Sequence, residues 1–320
     1  MTRILVLGGT GWLGAEIVRA ALAEGADVTC LARGESGTVP DGARHVRADR
    51  RELSAYDTVL DNWDEVIELA SDPALVRPAL DALAPLARHW TLVSSVSVYA
   101  RNDEPGADES AALVSCDDLG EYPAAKVAAE QASALALSDR LLVARPGLIV
   151  GPGDPSDRFG YWPARFGRSG PVLVPETDGR YVQVIDVADL AAWIAAAAAA
   201  GTTGFFNAVG EAYPFRDVID HLKTASASDL ELVAVNDEAL RAAGVNYWAG
   251  PRSLPLWLPR EDTAFARRDG SAFRAAGGTL RPLADTIARV REDEFSRGLF
   301  RQRRSGLTPD EEAAVLGAPR

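Results

Sequence analysis

Lysine is almost missing from this sequence: Lys126 and Lys223 are the only lysines among 33 basic residues, the rest being arginine. A lysine kept in so arginine-rich a chain marks a place where a compact, tunable ammonium does what a permanently charged guanidinium cannot. Cysteine is also scarce. Cys30 falls in an expected strand and Cys116 in an expected loop, without CxxC spacing, so both read as reduced bystanders rather than as a disulfide framework or metal ligands. His45, His89 and His221 stand singly, and no metal site is visible. Positive charge is in deficit: 46 acidic residues give a formal charge of −13 and a pI near 4.8, which argues against a nucleic-acid partner. No long apolar run exists either. The longest, Leu190 to Ala200, is far short of the roughly 18 to 20 residues that span a bilayer, so no membrane partner is expected. A strand expected almost at the first residue leaves no room for a leader before it, and the expected location is the cytoplasm.

What is present is ordinary globular material. With 320 residues, 47% hydrophobic and 25% charged, the chain can bury a sizeable core. The short apolar run Ile4–Leu7 reads as a strand, and Asp27–Ala32, Arg44–Ala48, Glu65–Ala70, Trp90–Val93 and Leu141–Ala144 continue the series. Amphipathic stretches such as Trp12–Ala23 and Ala124–Leu137 lie between several of them. This alternation predicts an α/β fold, a Rossmann-type doubly wound parallel sheet with a smaller C-terminal substrate-side region. The expected dinucleotide-binding core is residues 1–150, completed by about 182–209. Residues 151–181 and 210–262 form the substrate-side region, and 263–320 a C-terminal helical segment. In that last part helices are expected near Pro282–Arg303 and from Thr308, where Thr308, Pro309 and Glu311 make a capping signal.

Gly8-Gly9-Thr10-Gly11-Trp12-Leu13-Gly14 follows the first strand and opens the first helix. Glycine there tightens the turn, lets main-chain N–H groups approach a pyrophosphate and presents it with the positive end of a helix. Dinucleotide binding follows, with Gly8, Thr10, Gly11, Trp12, Leu13 and Gly14 as contacts. The second strand ends in Ala32-Arg33, without the acid that would accept from an NAD ribose, and Arg33 can take a 2′-phosphate, so NADP is favoured over NAD; Glu35 is the competing acid. Further on, Ser95 stands in Ser94-Ser95-Val96-Ser97-Val98-Tyr99, and Tyr122 lies four residues before Lys126. Residues four apart share a helical face, and an ammonium beside a phenol favours the phenolate. Tyr, Lys and a nearby serine hydroxyl make a site for hydride transfer at a carbonyl carbon. Pro123 lacks an N–H and fits only the first turn, so the helix is expected to start within one residue of it, with Tyr122 near the N-cap.

In order, GGTGWLG, SSVSVYA, YPAAK, ARPGLIVGPGD and VQVIDVADL resemble the extended short-chain dehydrogenases/reductases, also called the NAD-dependent epimerase/dehydratase family, over most of residues 1 to about 260. The resemblance implies Ser95 as catalytic serine, Tyr122 as acid/base and Lys126 as the residue that binds the nicotinamide ribose and polarises Tyr122. It implies Asp49 as adenine contact, Leu69, Ala70 and Ser71 as a cofactor-lining turn, and Pro146, Gly147 and Leu148 as the wall under the nicotinamide. Val96 and Ser97 stand where dehydratases of the family carry Asp-Glu, and Leu148 where sugar-nucleotide epimerases carry Asn. These departures point to the reductase-like branch.

The expected function is an NADP-dependent oxidoreductase acting on a carbonyl or alcohol carbon of a small non-nucleotide metabolite, as a monomer or homodimer. An epimerase with retained NAD and a non-catalytic NADP-sensing protein are the alternatives, the latter disfavoured by the presence of Ser95, Tyr122 and Lys126. Substrate candidates are Asp72, Ser97, Tyr161, Trp162 and Trp248, with Ser71, Tyr247 and Trp257 beside them.

Overall fold

The computed structural model describes residues 1–52, 54–226 and 229–317. The chain divides into two compact units. The first takes Met1–Ile149, Ile185–Gly210 and Arg268–Leu280, and the second takes Val150–Val184, Glu211–Arg267 and the chain from Arg281 on. Residues 263–320, expected as one segment, are therefore shared between the two units.

In the first unit the elements run β1 (Arg3–Leu7), α1 (Trp12–Ala23), β2 (Asp27–Ala32), β3 (Arg44–Arg47), β4 (Trp63–Glu68), α2 (Pro73–Leu83), β5 (Ala87–Val93), α3 (Tyr122–Leu137), β6 (Leu141–Pro146), α4 (Val187–Ala200) and β7 (Gly204–Ala208). The strands form one sheet in the order β7-β6-β5-β4-β1-β2-β3, every pair parallel. This is the doubly wound α/β fold, and the chain reverses direction across the sheet between β1 and β4, where ligands bind in such folds. Side chains alternate faces along each strand. Ile4, Val6, Val28 and Cys30 pack on one face with Ile17 and Val18 of α1 and Leu190, Trp193 and Ile194 of α4. Leu5, Leu7, Leu31 and Val66 pack on the other with Val76, Leu80 and Leu83 of α2 and Ala129 and Leu137 of α3. Each such aliphatic side chain contributes roughly 1.5 to 3 kcal/mol on burial.

Several strand ends differ from expectation by one to three residues, and at two of them a polar side chain is involved. β4 stops at Glu68 rather than Ala70, because the Glu68 carboxylate turns back to accept from the Ala70 amide at 2.8 Å. β5 begins at Ala87 rather than Trp90, which sets His89 opposite Glu65 of β4. Both are buried, and their side chains hydrogen-bond. The His89 Nε2 also meets the Thr202 carbonyl at 2.8 Å. Burial lowers the His89 pKa, but Glu65 and then Thr202 outweigh it, and the net shift is upward.

The second unit carries helices at Tyr161–Phe166, Phe215–Thr224, Leu283–Arg297 and Pro309–Leu316. Val172–Pro175 pairs in parallel with Leu232–Val235. Trp162 is fully buried edge-on to Phe215, ring centres 5.7 Å apart. Buried Glu312 accepts from Arg165 Nε at 2.5 Å, and buried Glu294 pairs with Arg301 and Arg303. The helix expected to reach Arg303 ends at Arg297, since Gly298 has φ +100° and leaves helical geometry. The capping box at Thr308 and Glu311 forms as expected. Among the described residues no helix is long and apolar enough to cross a membrane.

Candidate functional site

The glycine turn is built for close approach. Gly8 has φ +105°, a conformation that favours glycine, and a Cβ on Gly14 would lie 2.4 Å from the Gly8 carbonyl oxygen and 2.9 Å from Leu69 Cδ1. Gly11 is the N-cap of α1, and that helix starts with neither a side-chain cap nor an acidic residue in its first turn. Its positive end is thus left to an anion. Beside the turn a cavity of about 260 Å³ is bordered by Gly8, Thr10, Gly11, Arg33, Asp49, Leu69 and Ala70, seven of the expected cofactor contacts. Arg50, Arg51, Glu35 and Leu75 also line it. Trp12, Leu13 and Gly14 belong to α1 itself, and Pro146 ends β6, with the Gly147 amide donating to Ala208 O at 3.3 Å. Ser71 and Leu148 do not border the cavity either; Leu148 is buried. The residues present therefore fit the adenosine and pyrophosphate portion of a dinucleotide.

The charges around this cavity are paired. Arg33 lies 3.2 Å from Glu35, and both side chains are about half exposed or more. Arg51 lies 3.1 Å from Asp72, whose other oxygen accepts from the Ala74 amide as the N-cap of α2. Asp72, expected as a substrate contact, is occupied by these two interactions. Arg50 and Glu68 were not foreseen. Arg50 forms a bidentate pair with fully buried Glu68, and its Nε donates to Tyr56 Oη at 3.1 Å. A carboxylate directly after Val66 and Ile67 at the end of a central strand, as Glu68 stands in β4, was the available signal.

Ser95 caps the turn Val96–Val98 by accepting from the Ser97 amide at 3.1 Å, and its hydroxyl donates to Ser97 Oγ at 3.1 Å. The expected serines are thus brought side by side. α3 begins at Tyr122, one residue from Pro123, with Glu121 as N-cap. Tyr122 is 51% exposed and Lys126 only 4%. The Lys126 Nζ donates to the Val93 carbonyl at 2.6 Å and lies 5.9 Å from the centre of the Tyr122 ring. Burial depresses the Lys126 pKa, Glu68 and Glu130 resist it, and the value settles at about 8.

Behind these residues a buried network runs from strand to strand. Ser94 Oγ donates to Glu130, which also accepts from Arg145 Nε at 3.0 Å and Nη2 at 2.7 Å. Arg145 Nη1 donates to Tyr99 Oη at 3.0 Å, and that hydroxyl donates to Asn207 Oδ1 at 2.5 Å. Tyr99 is thereby buried and engaged, with burial raising its pKa more than Arg145 lowers it. It cannot serve as a substitute acid or base for Tyr122.

Three aromatic expectations in the second unit need correction. Trp162 has no exposed surface and its indole donates to Pro255 O at 2.8 Å, while Tyr161 is 2% exposed and packs edge-on to Trp162. Both are core side chains, because aromatic rings there fill the space between short helices. Trp257 is likewise buried, against Tyr247. Trp248 is partly exposed, with φ +66° and the Arg158 guanidinium 5.3 Å above its ring.

Residues 4–89 match the family model described as the NAD dependent epimerase/dehydratase family. A 2′-dehydrokanamycin reductase from Streptomyces kanamyceticus is 30% identical over 185 residues, 54% of this chain and 51% of that protein, so the match spans about half the relative's length. The UDP-glucuronic acid 4-epimerase from Bacillus cereus, solved with NAD, superposes with a TM-score of 0.69 at 16% identity, covering 92% of this chain and 99% of its own. For the UDP-glucose 4-epimerase of Thermus thermophilus, also an NAD complex, the values are 0.66, 19%, 91% and 98%. At such identities the structures establish the fold. The family match thus runs through the glycine turn and the first strands, and the doubly wound sheet around that turn is the fold shared with the solved epimerases.

Proposed function

We propose that this protein is an NADP-dependent oxidoreductase that transfers a hydride to or from a carbonyl or alcohol carbon of a small non-nucleotide metabolite. The observation that carries this reading is the placement of Lys126. Its buried ammonium is anchored to Val93, two residues before Ser95, and stands one helical turn after the exposed Tyr122. A nicotinamide, when bound, supplies or accepts the hydride. Tyr122 gives a proton to the carbonyl oxygen in reduction and takes it back in oxidation, at its phenolic oxygen. Lys126 stabilises the phenolate left behind. Ser95 donates to the same carbonyl oxygen and orients it, giving up its donation to Ser97 Oγ, while the Ser97 amide still donates to the Ser95 oxygen and holds it in place. The N-terminal amides of α1 hold the pyrophosphate, and Arg33 takes the 2′-phosphate. The relative named as a reductase supports net reduction.

A second reading, an epimerase that retains NAD, draws on the Glu35 carboxylate at the cavity rim. One experiment separates them. The purified protein is denatured and its released dinucleotide identified, and NADPH consumption is then followed over a panel of carbonyl compounds. NADPH-dependent turnover supports the oxidoreductase, whereas tightly retained NAD+ without net turnover moves the assignment to an epimerase.

A further inference from the structure

Arg33, Arg50 and Arg51 border the adenosine cavity, and their partners divide them into two kinds. Arg50 is fixed, because Glu68 engages both its terminal nitrogens, Tyr56 its Nε, and Leu75 O its Nη2 at 3.1 Å. It cannot turn to a ligand without breaking a buried pair. Arg33 and Arg51 are different. Each has a side chain about half exposed, and each holds one carboxylate through a single guanidinium nitrogen, Glu35 at 3.2 Å and Asp72 at 3.1 Å. Exposed pairs of that kind are weak and exchange readily. Parallel pairing of β2 with β3 sets Ala32 against Arg47, so Arg33 and the turn Ala48–Arg51 leave the sheet side by side. The Arg51 amide donates to Asp49 Oδ1 at 3.0 Å, which holds that turn at the cavity wall.

We infer that Arg51 is a second specificity-determining residue for the adenosine 2′-phosphate, shared with Arg33, and that Asp72 is its resident counter-ion, exchanged for the phosphate on binding. A phosphate monoester carries nearly two charges near neutral pH and three acceptor oxygens, so it engages two guanidinium groups and outcompetes a solvated carboxylate for each. A ribose 2′-hydroxyl offers no such gain and leaves Arg51 with Asp72. The inference rests on the NADP reading of the cofactor. It goes beyond that reading in assigning a residue from the turn after β3 and a competing acid from the cap of α2.

The test needs neither substrate nor turnover. Calorimetric titration of the full chain with adenosine 2′,5′-bisphosphate and with 5′-AMP isolates the 2′-phosphate. Arg51→Gln is expected to weaken the bisphosphate about tenfold, the worth of one charge-assisted contact, and 5′-AMP by less than about twofold. Asp72→Asn retains an oxygen to cap α2 and removes the competing charge, so it is expected to tighten the bisphosphate by about two- to fivefold and leave 5′-AMP unchanged. Loss with Arg33→Gln but none with Arg51→Gln overturns the inference while the NADP reading stands. Wild-type protein that binds both nucleotides equally, or neither, overturns both.

Discussion

The Nζ of Lys126 lies 2.6 Å from the carbonyl oxygen of Val93, so the helix that begins at Tyr122 is tied to the strand that leads into Ser95. Lys126 is only 4% exposed, so the bond is largely shielded from solvent. It makes the spacing between the candidate acid/base and the candidate serine a property of the sheet rather than of a loop. An arginine at this position would bring a larger, planar group into a space closed by the strand.

Tyr122→Phe should reduce NADPH-dependent turnover by about 100-fold or more, the range for loss of a general acid, with dinucleotide affinity unchanged. Steady-state kinetics and a separate binding titration check this. Turnover within a few-fold of wild type would remove Tyr122 from the chemistry, and Tyr99 could not replace it while held by Arg145 and Asn207.

Lys126 gives a pH signature whose sign is fixed by its depressed pKa of about 8, against an ordinary 10.5. Between these values the unfolded chain binds more protons than the folded one, so stability should rise from pH 8 toward 10.5. Below about pH 8 the penalty of the buried ammonium is fully present. Urea unfolding across this window should show the rise in wild type and its absence in Lys126→Met. Lys126→Arg should impair turnover although the charge is kept.

Arg33→Ala should weaken NADPH more than NADH. Because Arg33 must first leave Glu35, the loss is expected at the low end for a charge-assisted contact, about 1.5 kcal/mol. Equal losses for the two cofactors, or a wild-type preference for NADH, would refute the role given to Arg33.

Glu68→Leu should destabilise the first unit by about 3 to 5 kcal/mol, because it strands a buried guanidinium. Adding Arg50→Met should restore much of that loss, since two apolar side chains of similar volume can replace a buried pair. Denaturant unfolding of the two singles and the double provides the cycle. A double variant as unstable as the two singles combined would mean the pair is not an isolated unit.

The features legible in advance were those set by neighbours along the chain. The glycine turn, the strand alternation that divides Ile4 and Val6 from Leu5 and Leu7, and the start of α3 beside Pro123 follow from backbone geometry and side-chain period. So does the Tyr122–Lys126 face, because one helical turn brings residues four apart together whatever surrounds them.

Tertiary structure alone decided which charges meet and which aromatics are lost to the core. Glu68 finds Arg50 because β4 and β3, parallel strands separated by β1 and β2, both end on the C-terminal side of the sheet, and Glu130 finds Arg145 because α3 lies over β6. Trp162 reads in the sequence as a pocket wall, yet its indole is consumed by Pro255, 93 residues away. Local sterics along the sequence set the period and chirality of each element. Partners brought from distant parts of the chain depend on strand order, and strand order is settled only when the whole sheet has assembled.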